Sequence, residues 1–162
     1  MNRMSIYPFL LSFFVGILFF QCSPTVGKKV HSDEHLPVRQ RIIEDAAKTV
    51  GSRYKYGGTG NRGFDCSGLV YTIYKNHEFF LPRSARDMIK YGQKINKRQV
   101  QPGDLAFFKN IGRKVDHVAI VYKIDRDGIW LIHSTTSRGV ITQNLESSSY
   151  WSKRLIQFNS II

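Results

Sequence analysis

Cysteine is nearly absent: the 162 residues contain only Cys22 and Cys66. Two cysteines permit one disulfide at most, and the close-spaced Cys and His pairs of zinc sites are missing, so no metal is expected. The glycine-dense stretch from Tyr54 to Gly63 lacks the lysine and hydroxyl residue of a phosphate-binding loop, which excludes that route to nucleotide binding. No repeat or low-complexity tract occurs, and nothing in the sequence calls for a cofactor. Acidic residues are few, 12 against 24 basic, for a net charge of +12. The basic residues are scattered from Lys28 to Arg154 without a nucleic-acid-binding motif, so nucleic acid is not an expected partner. Their charge suits either a solvated basic face or attraction to an acidic polymer or lipid.

A long apolar run is missing too. Ile6 to Phe20, broken by Pro8, Ser12 and Gly16 and preceded by Arg3, falls short of the ~20 apolar residues of a membrane-spanning helix. Residues 1–21 therefore read as a secretory signal, and the protein as exported. Cys22 comes at once after it, where a lipoprotein signal places the cysteine that is lipidated. Leu18-Phe19-Phe20-Gln21-Cys22 resembles such a signal, although Gln21 stands where a small residue is usual. An uncleaved anchor, or ordinary cleavage with Cys22 incidental, are the alternatives. Residues 22–37 read as a lipidated N-terminus and tether, and 38–162 as one domain in the cell envelope, membrane-anchored on the periplasmic or outer-membrane side.

The domain opens with a helix predicted from Arg39 to Val50, where Ile42, Ile43, Ala46, Ala47 and Val50 recur at helical spacing and Gly51 stops it. A second helix starts at Cys66, with Leu69, Val70, Ile73 and Tyr74 on one face. Ser84 caps a third, Ala85 to about Tyr91. Strands are expected at Leu105–Phe108, His117–Ile124 and Ile129–His133, around Val140–Leu145, and at Leu155–Phe158. The turn Asp125–Gly128 joins two of them.

Cys66 is the candidate nucleophile. A helix N-terminus favours a thiolate, whereas the adjacent Asp65, a good N-cap, opposes ionisation, so a cationic partner is required. His117 on an interior strand can accept the thiol proton, and His133 on the next strand can fix its tautomer. Each histidine alone is better read as a hydrogen-bonded or rim residue; together with the cysteine they are harder to dismiss. His31, His35 and His77 receive no role.

Several motifs carry a family resemblance: Tyr54-Lys55-Tyr56-Gly57-Gly58, Phe64-Asp65-Cys66-Ser67-Gly68-Leu69-Val70, Leu81-Pro82-Arg83-Ser84, Gln101-Pro102-Gly103-Asp104-Leu105, His117-Val118-Ala119-Ile120 and Ile132-His133. In this order and spacing, from about Val38 to Phe158, the sequence resembles the NlpC/P60 cysteine peptidases of bacterial cell walls. Ala119 stands where glycine is usual, and Ser134 where alanine is common. The resemblance implies an α+β, papain-like fold with helices packed on a central antiparallel sheet. It also implies hydrolysis of peptidoglycan stem peptides, typically at the γ-D-glutamyl to diamino acid link. By the same likeness Cys66, His117 and His133 form a triad, Tyr54 and the Cys66 N–H help with the oxyanion, and Asp65, Ser67 and Arg83 lie near the substrate. The length leaves no room for the extra wall-binding domain many relatives carry. A thiol acyltransferase or amidase of related fold, and a lipid-anchored wall-binding module, are the alternatives.

Strand parity adds a structural condition. With a symmetric turn at Asp125–Gly128, His133 would sit opposite Ile120 and on the other side of the sheet from His117. An odd-length loop or a bulge between the histidines is therefore expected, with both rings on the face carrying Cys66 and small Ala119 leaving space for the cysteine helix.

Overall fold

The computed structural model describes residues 36–162 apart from 110, 111 and 113, together with Met1. Residues 2–35, which hold Cys22 and nearly all of the stretches read as signal and tether, lie outside the described residues. Helix α1 runs Leu36–Lys48, so it begins within the stretch read as tether. It ends earlier than the spacing suggests, because the Thr49 hydroxyl donates to the Ala46 carbonyl at 2.6 Å and the chain turns. Val50 is thus outside the helix and exposed rather than part of its apolar stripe. Ile42 and Ala46 carry the buried face.

A two-rung hairpin, β1 (Thr59–Gly60) and β2 (Gly63–Phe64), leads into α2, Cys66–Asn76. Here two glycines are required by close approach. A Cβ on Gly68 would run into the Gly58 carbonyl, and one on Gly58 into the Gly63 carbonyl. The loop is thereby pressed against the first turn of α2. Helix α3 is shorter than expected, Ala85–Met88, with Ser84 as N-cap.

The remaining strands are β3 (Gln93–Ile95), β4 (Leu105–Lys109), β5 (Val115–Asp125), β6 (Gly128–Thr135), β7 (Gly139–Asn144) and β8 (Leu155–Ser160). They form one antiparallel sheet in the order β3-β8-β4-β5-β6-β7. A single-turn helix α4, Ser149–Ser152, precedes β8. This is the α+β arrangement the resemblance implies.

Alternation along β4 to β6 divides the interior in two. Leu105, Phe107, Val118, Ile120 and Ile132 pack against α1, α2 and α3. Ala106, Phe108, Ala119, Val121 and Leu131 face the other way, with Phe158, Leu145 and Trp151 of α4 over them. Burial of such side chains contributes about 1.5–3 kcal/mol each.

A polar network ties α1 to the sheet. Arg39, 8% exposed, donates to Asp104 at 2.7 Å, to the Pro102 and Ile162 carbonyls and to the Ser160 hydroxyl. Asp104 is 1% exposed and also accepts from the Gln101 N–H, while buried Tyr74 donates to the Gly103 carbonyl. The Gln101–Asp104 turn is therefore anchored from two helices.

Candidate active site

Asp65 starts the site because it starts α2. Its carboxylate accepts from the Gly68 N–H at 2.6 Å, the N-cap bond. Arg83 grips it with Nη1 at 3.0 Å and Nη2 at 2.6 Å, and also reaches the Ser67 hydroxyl at 2.9 Å. Burial alone would raise the Asp65 carboxyl; Arg83, the Gly68 N–H and Ser67 together hold it below the usual carboxylate value. The residues expected near substrate thus first hold one another. Part of the charge that opposes a thiolate at Cys66 is neutralised by Arg83 rather than by a histidine.

Cys66 is a free, half-buried thiol whose Sγ lies 3.8 Å from the Asp116 carbonyl. Burial pushes the thiol up, and so does Asp65, against the pull of the backbone N–H groups of Val118, Ser67 and Cys66 itself. His117 and His133 meet across β5 and β6, with His117 Nε2 and His133 Nδ1 2.8 Å apart. Burial, and next the neighbouring His133, hold His117 well below the ordinary imidazole value. Burial and then the Arg138 charge lower His133 to about 4. At neutral pH the thiol and both rings are therefore uncharged.

The expected irregularity between the histidines is present. Asp125 pairs with Gly128, Ile124 with Ile129 and Lys123 with Trp130, then Val121 pairs with Leu131 and Ile120 with Ile132. Tyr122 is the extra residue of a bulge, and continuing the register sets His133 opposite Ala119. Both rings then lie on one face. That face is not the one α2 packs on, which corrects the expectation. The apolar residues of α2 share a core with Val118 and Ile120, whereas Ala119 lies in the second core and makes no room for the cysteine helix. Cys66 instead meets the β5 backbone at the end of α2.

Trp151 closes the far side of the pair, and sequence reasoning missed it. Its ring stacks on His117 (centroids 4.4 Å, 27°) and stands edge-on to His133 at 4.8 Å and Phe108 at 5.2 Å. Its only sequence signal is Ser148, which caps the short helix by accepting from the Trp151 N–H. His133 Nε2 is buried and has no hydrogen-bond partner among the described residues.

Two cavities open on Cys66. One, about 380 Å³, is lined by His117, Trp151, Asp116, Gln143 and Arg138. The other, about 640 Å³, is lined by Asp65, Ser67, Arg83, Tyr56 and Val115. Tyr54 borders both; burial foremost raises its phenol. Among the described residues no group of three or more His, Cys, Asp and Glu side chains is gathered as a metal ion requires.

The chain is similar to known proteins. The chain is 40% identical over 115 residues to a γ-DL-glutamyl hydrolase of Bacillus subtilis, covering 68% of this chain and 27% of that protein. It is 31% identical to a probable endopeptidase of Haemophilus influenzae, covering 98% of this chain and 100% of the relative. Among solved structures, an NlpC/P60 family protein from Bacillus cereus superposes with a TM-score of 0.68 at 30% identity, over 76% of this chain and 40% of that one. The chain thus spans well under half the length of two of these three relatives. The NlpC/P60 family model matches residues 51–160, from the glycine loop before Cys66 through the last strand, and the chain belongs to that family.

Proposed function

We propose that this protein is an exported cysteine peptidase that hydrolyses peptidoglycan stem peptides, at the bond between γ-D-glutamate and the diamino acid. The observation that carries the reading is the opening of Cys66 and His117 onto one cavity, with His117 braced by His133 at 2.8 Å. The γ-glutamyl assignment draws on the name of the 40% identical relative.

The chemistry stems from the neutral resting state. With His117 Nε2–H donating to His133 Nδ1, His117 Nδ1 is left as the acceptor for the thiol proton. His133 then carries its own proton on the buried Nε2. As Sγ attacks the amide carbon, its proton passes to Nδ1 and the negative charge gathers on the carbonyl oxygen. In this reading the Cys66 N–H at the helix start and Tyr54 receive that charge. The C–N bond breaks as Nδ1–H protonates the leaving amine, giving a thioester. A water that loses its proton to the same nitrogen then attacks the thioester and releases the carboxylic acid and the thiol. The imidazolium formed in between is served by the His133 acceptor and by the Trp151 face.

The N-terminal reading joins this one. Cleavage after residue 21 and lipidation of Cys22 would tether the domain to the membrane, within reach of the wall. The test of function is mass spectrometry of defined stem peptides incubated with wild type and Cys66→Ala. Cleavage at the γ-D-glutamyl bond by wild type alone is expected. Cleavage only at another amide, or equal cleavage by the variant, overturns the assignment.

A further inference from the structure

The buried ring of His117 is held from three directions. Its Nε2 meets His133 Nδ1 at 2.8 Å, the Phe108 ring leans on it with centroids 5.9 Å apart, and the indole of Trp151 stacks on it at 4.4 Å and 27°. The outer torsion of a histidine is broad, so one hydrogen bond at one edge leaves the ring free to tilt. The stack removes that freedom.

Trp151 does so from a fixed base. At the start of α4 the Ser148 hydroxyl accepts from the Trp151 N–H, and at its end the Arg154 N–H donates to the Trp151 carbonyl at 3.0 Å. The Arg154 guanidinium donates to the Tyr150 carbonyl and lies 3.7 Å from the centre of the Tyr150 ring. The Arg154 carbonyl in turn accepts from the Lys109 N–H at 3.0 Å, which ties the helix to the strand that carries Phe108.

Charge gives the indole a second task. Among the described residues neither His117 nor His133 is hydrogen-bonded or ion-paired to a carboxylate. When His117 takes the thiol proton, a cation forms in a buried place, with the like charge of Arg138 on the same cavity. An indole face at stacking distance attracts that cation, and indole does so best of the aromatic side chains.

We propose that Trp151 is a positioning residue for the base: its indole fixes the plane of the His117 ring, and its π face supplies the counterpart to positive charge that a pair of two imidazoles lacks. This rests on Cys66 and His117 acting as nucleophile and base, and not on which amide is cleaved. The imidazolium exists only once the proton has moved, so a weaker π face slows the step without altering substrate binding. For a partly desolvated pair the contact is worth about tenfold in rate.

The experiment replaces the indole by mono-, di- and trifluorotryptophan, which keep its shape and progressively drain its π face. The chain has two tryptophans, and the other, Trp130, lies against Lys123 near the hairpin tip, so the series is made in Trp130→Phe. Two rates are read: alkylation of Cys66 by iodoacetamide, which needs the proton transfer but no peptide, and kcat with KM on one stem tetrapeptide. Alkylation and kcat are expected to fall stepwise with fluorine count, by about tenfold over the series, while KM stays within about twofold. Trp151→Phe, which keeps a smaller face, should retain more of both rates than Trp151→Leu, which keeps only apolar cover. Rates indifferent to fluorination overturn the proposal even where Trp151→Leu is slow or fails to fold, because a side chain that merely fills the second core does not respond to the electrons of its ring. A series that moves KM alone overturns it as well. Failure of wild type to cleave the γ-D-glutamyl bond ends that reading, and the alkylation series still decides for Trp151.

Discussion

The buried imidazoles should make this fold sensitive to acid in a range where carboxylates stay ionised. His133 titrates near 6.5 when unfolded and at about 4 in the fold, because burial and Arg138 disfavour its charged form. Between those values the unfolded chain binds the proton and the folded one does not. Stability is therefore full above the unfolded value and is lost as the pH falls towards the folded one. From these two values, His133 alone removes about 2 kcal/mol by about pH 5 and about 3 kcal/mol by about pH 4. His117, lowered in the same direction, adds to the loss. The assay is urea unfolding of Cys66→Ala at about pH 7 and about pH 5, alongside Cys66→Ala with His133→Asn. The other groups titrate in both proteins, so the difference in pH dependence reports position 133 together with the part of the His117 depression that His133 causes. The histidine protein should lose about 2 kcal/mol more over that interval than the asparagine one. Equal losses would refute the claim that the ring is held neutral by the fold.

Four other outcomes are expected. Alkylation of Cys66 by iodoacetamide should slow in His117→Ala, which lacks the proton acceptor, and in wild type it should still be rising with pH beyond the ordinary thiol value; a rate indifferent to His117 would count against the pair. His133→Ala should lower kcat/KM by about tenfold or more, while His133→Asn or Gln, still able to accept from His117, should retain more; kinetics on one stem peptide decide this. Arg39→Ala strips a buried ion pair and should cost about 3–5 kcal/mol in urea unfolding, and a loss under about 1 kcal/mol would contradict the anchoring role given to Arg39. Cys22→Ser should move the protein out of the membrane fraction, and an unmodified Cys22 in the mature chain, seen by mass spectrometry, would end the lipoprotein reading.

Legibility in the sequence differed by element for physical reasons. The cysteine helix announced itself because its apolar residues recur at one period, and the strands β4 to β6 because they are apolar runs buried on both faces. The bulge could be deduced because two histidines and a turn fix a parity. The strand β3, Gln93-Lys94-Ile95, was not legible: three residues at a sheet edge bury almost nothing and show no alternation. Helix α4 is a single turn, so nothing in the sequence singled out Trp151, which the fold lays on His117. Arg39 marked only the start of a predicted helix, since its partners Asp104, Ser160 and Ile162 are far away in the chain. The face on which α2 packs was misjudged because alternation tells which residues share a side, and not which side a neighbouring helix takes.

The extra residue at Tyr122 separates the tip of the β5–β6 hairpin from its reactive end. Beyond it lie only the rungs Lys123 to Trp130, Ile124 to Ile129 and Asp125 to Gly128. Removing Tyr122 would join Val121 to Lys123 and leave every pairing from Leu131 to His133 in phase, as an ordinary hairpin with the same two-residue turn. A one-residue deletion on the His117 side of Val121, or between Leu131 and His133, has no such slack and would carry one ring through the sheet. Insertions and deletions in related genes should accordingly gather between residues 122 and 130. A relative one codon shorter there should have traded its bulge for a regular ladder while keeping the two imidazoles in contact.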